Sequence, residues 1–131
     1  MRFLIAVSIL LGLISTASAQ GIAAPSKWIN QRTSVLEILS VDGNGVITGK
    51  FTNNAPNTLC MGVPLDIVGH TLKNNRVFFG VTFPAPCHTI TSWRGTVSGN
   101  TFATAYALSY INDETGAIET VSGADTFTLQ P

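Results

Sequence analysis

Beyond residue 20, apolar and polar positions alternate in short runs, and nowhere do they recur with the spacing of a helix face. These runs predict eight strands: Trp28 to Gln31, Val35 to Val41, Val46 to Asn53, Leu65 to Thr71, Arg76 to Phe83, Thr89 to Val97, Thr101 to Tyr110 and Val121 to Leu129. Asp42-Gly43-Asn44-Gly45, Lys73-Asn74-Asn75 and Ser98-Gly99-Asn100 are turn signals, since these residues tolerate positive φ. Polar loops follow Asn53 and run from Asn112 to Glu119. Sequential strands joined mostly by short hairpins predict an all-β fold, an eight-stranded antiparallel up-and-down β-barrel. Such a barrel leaves no open edge and can enclose one small ligand. A sandwich is the competing architecture.

Successive strand side chains point to opposite faces. Alternation therefore assigns an inner set: Trp28 and Asn30; Ser34; Ile47, Gly49, Phe51 and Asn53; Val77, Phe79, Val81 and Phe83; Thr89, Thr91 and Trp93; Phe102, Thr104, Tyr106 and Leu108; Val121, Gly123, Asp125, Phe127 and Leu129. Glu37, Lys50, His88 and Arg94 fall on the outer face. The inner set mixes aromatic rings with Asn30, Ser34, Asn53, Thr89, Thr91 and Asp125. Burying an unpaired hydroxyl or amide costs about 1 to 3 kcal/mol, and a lone carboxylate costs more. These inward polar groups either satisfy one another or meet a polar-headed small molecule between aromatic walls.

The N-terminus reads differently. Met1-Arg2, the apolar run Phe3 to Ile14 and the small-residue site Ala17-Ser18-Ala19 predict a secretory signal peptide over residues 1–19, cleaved after Ala19. The run is too short to span a bilayer, which makes a membrane anchor the weaker reading. Residues 20–131 then form a single domain, secreted or periplasmic, with no membrane partner. Charged residues make up only 11% of the chain, seven basic against seven acidic. That balance excludes a nucleic-acid partner, which needs clustered Lys and Arg. Cys60 and Cys87 are the only cysteines, and in an exported domain they are expected to pair, with two separate buried thiols as the alternative. No inward nucleophile has a His base, and one carboxylate makes no glycosidase pair, so the chain is not expected to be an enzyme. His70 and His88 stand alone and offer no metal site.

Four motifs in order carry a resemblance: Trp28-Ile29-Asn30-Gln31 with Ser34; Ile47-Thr48-Gly49-Lys50-Phe51; Thr89-Ile90-Thr91-Ser92-Trp93-Arg94-Gly95; and Gly123-Ala124-Asp125-Thr126-Phe127. Singly each is weak. Together they resemble the avidin and streptavidin family of biotin-binding barrels, over about Lys27 to Leu129. Cys60, Cys87 and Gly116-Ala117-Ile118-Glu119 resemble the short dimeric bacterial avidins within it. The resemblance implies non-covalent binding of biotin, as ligand rather than cofactor. Asn30 and Ser34 would donate to the ureido oxygen, and Asn53 and Asp125 would accept its N–H groups. Thr91 would meet the sulfur and Thr89 the carboxylate. Ala55, with Asn54 and Asn57, would belong to a mobile loop over the mouth. Phe83, Trp93, Tyr106 and Leu108 would wall the ring. No Trp lies between Ser109 and Ser122 to complete a neighbour's site, which favours a homodimer.

Three departures matter. Phe51 stands where the family usually has Tyr, which removes one donor to the ureido oxygen. Phe83 and Tyr106 stand where Trp is usual. Pro84-Ala85-Pro86 shortens the connection before Cys87. They imply binding weaker than that of the tightest family members. The rival readings are a secreted barrel acting as a protease inhibitor and a barrel of this family retuned to another small ligand.

Overall fold

The computed structural model describes residues 21–131, so the signal-peptide reading of residues 1–19 lies outside the described residues. The strands are β1 (Ser26–Asn30), β2 (Val35–Val41), β3 (Val46–Thr52), β4 (Pro64–Asp66), β5 (Val68–Leu72), β6 (Arg76–Phe83), β7 (Thr89–Ser98), β8 (Thr101–Ile111) and β9 (Ile118–Leu129). All pairings are antiparallel, in the order β2-β1-β9-β8-β7-β6-β5-β3-β4, and β2 also pairs with β3. That last ladder closes the sheet into a barrel.

The predicted run Leu65 to Thr71 is two strands on one stave. β4 pairs with Lys50 to Thr52 and β5 with Val46 and Ile47 of the same β3. Between them Ile67 turns inward and is buried, and its amide still donates to Gly49 O. The barrel thus has eight staves, as the alternation predicts. A bulge between Ile38 and Ser40 inserts Leu39 as an extra residue. It resets the parity of β2, so Val41 returns to the core while Leu39 is exposed.

Turns alternate between two poles. Asp42 to Gly45, Lys73 to Asn75 and Gly99-Asn100 lie at one end, where they hydrogen-bond to neighbouring hairpins: Thr71 N to Gly45 O, Val97 N to Asn75 O and Leu129 N to Asn100 O. Asp42 Oδ1 accepts from the Asn44 and Val46 amides and fixes its turn, with Gly45 at φ +83°. Asn74 and Asn75 both take positive φ, the conformation of a two-residue type I′ hairpin. This end is plugged by Trp28, Leu36, Ile38, Val77, Phe79, Phe102 and Phe127, each at most 2% exposed. The edge-to-face contact of Trp28 on Phe102, with ring centres 6.2 Å apart, and the stack of Phe79 on Trp93 at 4.7 Å join the plug to the cavity above it.

The other pole carries the 31–33 turn, the 53–63 loop, the 84–88 turn and the 112–117 loop. Cys60 and Cys87 are bonded and staple two of these together. The outer face agrees with the alternation, with Lys50 paired to Asp66 at the surface. One inner assignment needs correction: Val121 has inner parity but stands half-exposed, because β9 there runs past the rim.

Candidate functional site

A cavity of about 390 Å³ opens at the looped pole. All twelve predicted ligand residues line it: Asn30, Ser34, Phe51, Asn53, Ala55, Phe83, Thr89, Thr91, Trp93, Tyr106, Leu108 and Asp125. The register explains the convergence. Thr91 faces Leu108 and Val81, Trp93 faces Tyr106 and Phe79, and Thr89 faces Tyr110 and Phe83. Inner parity on three adjacent strands therefore builds one continuous wall. Four further residues line it that the sequence reading did not select: Arg32, Thr58, Leu59 and Cys87.

The polar groups are aimed before any ligand arrives. Asn30 is buried at the end of β1, and its Oδ1 accepts from the Arg32 and Ser34 amides, both at 3.0 Å. These two bonds fix the amide orientation and leave Nδ2 without a partner among the described residues. The Thr89 and Thr91 hydroxyls likewise carry no hydrogen bond there. Every fully enclosed polar side-chain atom among the described residues is bonded, so the unbonded ones are reached from the cavity.

Asp125, 4% exposed, is the centre of the network. Oδ2 accepts from Trp93 Nε1 at 2.8 Å. Oδ1 accepts from Gln31 Nε2 at 2.9 Å and lies 3.5 Å from Arg32 Nε. Gln31 is held in turn by the Thr126 amide donating to its Oε1. These partners supply the compensation a buried carboxylate requires, and one lone pair on Oδ2 remains open. Thr104 Oγ1 donates to Asp125 O at 2.7 Å and ties the backbone of β9 to β8.

Ser34 Oγ accepts from the Asn54 amide at 3.0 Å and donates to Asn53 Oδ1 at 3.4 Å, a long contact. Asn53 Oδ1 also accepts from the Ala55 amide, and its Nδ2 donates to Thr58 Oγ1 and Leu59 O. The segment around buried Ala55, predicted as a loop over the mouth, is therefore pinned by Asn53 at its root, and Thr58 Oγ1 donates back to Ala55 O.

Aromatic rings complete the walls. Phe51 lies 4.7 Å from Trp93 and meets Phe83 edge-on at 6.3 Å. Tyr106 lies across Gly123 on the neighbouring strand, where a Cβ would come within 2.5 Å of the tyrosine oxygen. Glycine is required at 123 for that ring to fold down. Arg32 Nη2 donates to Tyr106 Oη at 3.0 Å, and its guanidinium carbon stands 5.2 Å from the ring centre. The hydrogen bond with Tyr106 and the charge of Asp125 raise the Arg32 guanidinium above its ordinary value, against the cost of burial, so it stays a cation. At the rim, Tyr110 Oη donates to Glu119 Oε2 at 2.6 Å, and that bond, reinforced by the carboxylate charge, raises the phenol above its ordinary value.

The arrangement can surround a small ring with aromatic faces while offering donors on one side and acceptors on the other. His70 lies among the plugged-end turns, against Gly45, and His88 is exposed; neither lines the cavity.

Comparison with known proteins agrees with this geometry. A model of the avidin family matches residues 18–130. Afifavidin of Afifella pfennigii is 37% identical over 124 residues, spanning 87% of this chain and 74% of the relative. The solved bradavidin2–biotin complex superposes with a TM-score of 0.76 at 36% identity, covering 84% of this chain and all of the other. The rhizavidin–biotin complex gives 0.72 at 30% identity, with 83% and 93% covered. Sequence, fold and cavity together place the chain in the avidin family.

Proposed function

We propose that this protein binds biotin non-covalently in the barrel cavity. The observation that carries the reading is the fixed amide of Asn30 beside the fixed carboxylate of Asp125, both buried on the cavity wall. A cyclic urea presents one carbonyl flanked by two N–H groups, which is the complement of that pair. Asn30 Nδ2 and Ser34 Oγ donate to the ureido oxygen. Asp125 Oδ2 accepts one N–H and Asn53 Oδ1 the other. The long hydrogen bond from Ser34 Oγ to Asn53 Oδ1, at 3.4 Å, supports this assignment. Releasing it frees a proton on Ser34 for the carbonyl and a lone pair on Asn53 for the N–H in one step. Thr91 meets the ring sulfur and Thr89 the carboxylate, and Phe51, Phe83, Trp93, Tyr106 and Leu108 enclose the bicycle, with Ala55 at the mouth.

Binding rather than catalysis is the activity, with biotin the ligand and no cofactor. Rigid strands already hold these groups, so little order is created on binding, which favours affinity. The missing hydroxyl at Phe51 places that affinity below the family's tightest. We further propose export with cleavage after Ala19, in keeping with the Cys60–Cys87 bond, and assembly as a homodimer, since the 112–117 loop offers no Trp to a neighbour. Calorimetric titration of the secreted chain with biotin tests the reading. One ligand per chain and a raised melting temperature are expected; no heat and no melting shift at millimolar biotin would overturn it.

A further inference from the structure

One hydrogen-bonded group beside the mouth has no part in holding the ring. Thr89 on β7 pairs with Tyr110 on β8, and Tyr110 pairs with Glu119 on β9. Cross-strand partners share a face, so the three side chains form one row on the inner side of the sheet. Thr89 lines the cavity, and Tyr110 and Glu119 stand beyond its lining on the rim. Asn112 Nδ2 donates to Glu119 Oε1 at 3.2 Å and steadies the carboxylate.

An ionised carboxylate cannot donate, so in the 2.6 Å bond between Tyr110 Oη and Glu119 Oε2 the phenol is the donor. The single Tyr110 proton is committed there, and its oxygen offers only lone pairs to a further partner. Arg32, the one cation among the lining residues, is held against Tyr106, four residues and roughly 13 Å down β8. The row at Thr89 is thus one neutral donor followed by an acceptor and an anion.

We propose that the Tyr110–Glu119 pair selects the form of the ligand's tail, favouring biotin linked to an amine through an amide over the free acid. The inference rests on the biotin reading. Thr89 Oγ1 donates to a carboxylate or to an amide carbonyl alike. Beyond it a carboxylate brings lone pairs against lone pairs, whereas an amide brings an N–H that the Tyr110 oxygen accepts. The Glu119 charge adds a repulsion that salt weakens at an exposed rim, so the imposed direction of the Tyr110 hydroxyl is the larger effect.

The test compares biotin with its N-methyl amide on the secreted chain, by calorimetry at pH 8, where ligand carboxylates are ionised and imidazoles neutral. Tighter binding of the amide is expected. In Glu119→Gln the new side-chain amide can donate to Tyr110 Oη and free its proton for a carboxylate, so the preference should fall about five-fold. Tyr110→Phe, which removes the acceptor, should lower it in the same direction. Both positions lie on the rim, and an unchanged circular dichroism spectrum verifies the fold. Tighter binding of the free acid by the unsubstituted chain, or a preference unmoved in both variants, including an equal loss of both ligands, overturns the tail selection while the biotin reading stands. Failure of the unsubstituted chain to bind either ligand overturns both.

Discussion

The two ends of the barrel are made by the same strands and differ in almost everything else. On β1, Trp28 belongs to the dry plug, and Asn30, two residues on, to the wet cavity. Leu36 and Ser34 stand in the same relation at β2, and Phe127 and Asp125 on β9. Two residues along a strand are roughly 7 Å. Over that distance the interior changes from side chains that need only neighbours to side chains that need partners. Alternation decides which way a residue points; its chemistry decides whether it fills the barrel or furnishes a site. Stability and recognition are thus separated along one axis.

That separation is open to attack from either end. The largest effect belongs to the plug. Phe102→Ala removes a fully buried ring that touches Trp28, Phe79 and Phe127. It should cost about 3 to 5 kcal/mol and lower the melting temperature by about 15 °C or more, read by thermal unfolding, with biotin affinity of the folded fraction little changed. Reduction of Cys60–Cys87 comes next, with an expected loss of about 3 kcal/mol from freeing the intervening loop. Because Cys87 lines the cavity, reduction should also weaken biotin, whereas the plug substitution should not. Asp125→Ala sharpens the contrast. Loss of a charged acceptor should weaken biotin about 10- to 100-fold by calorimetry. Trp93 Nε1 would lose its partner, so a smaller stability loss of about 1 to 3 kcal/mol should accompany it. The smallest change is a gain: Phe51→Tyr returns a donor to the ureido oxygen and should tighten biotin by up to about ten-fold. If Phe102→Ala and Asp125→Ala moved stability and affinity in the same proportion, the two ends would not be separable.

Much of this was legible in the sequence. Period-two alternation gave the eight staves, Asn74-Asn75 and Asp42 to Gly45 gave the hairpins, and inner parity brought together eleven of the twelve expected cavity residues, Ala55 having come from the family resemblance alone. What escaped depended on breaks in that periodicity. Nothing local marks Leu39 as the bulged residue or Ile67 as the point where one stave splits; both follow from fitting β2 and β4–β5 against β3. Thr58 and Leu59 reach the cavity through a loop whose path is set by Asn53 and the disulfide. Arg32 did carry a signal, because it continues the even-numbered series Trp28, Asn30 and Ser34. A charged residue in a turn is ordinarily solvated, and only the contact with Tyr106, itself possible because Gly123 has no side chain, turns it inward.

The turns at Asp42 to Gly45, Asn74-Asn75 and Gly99-Asn100 all sit at the pole opposite the mouth. Gly99 has open space where a Cβ would stand, and exposed hairpin tips of this kind accept inserted sequence. An affinity tag, a fluorophore-bearing peptide or a surface-anchoring segment spliced at Gly99-Asn100 would face the support, leaving the ligand entrance turned toward the solution.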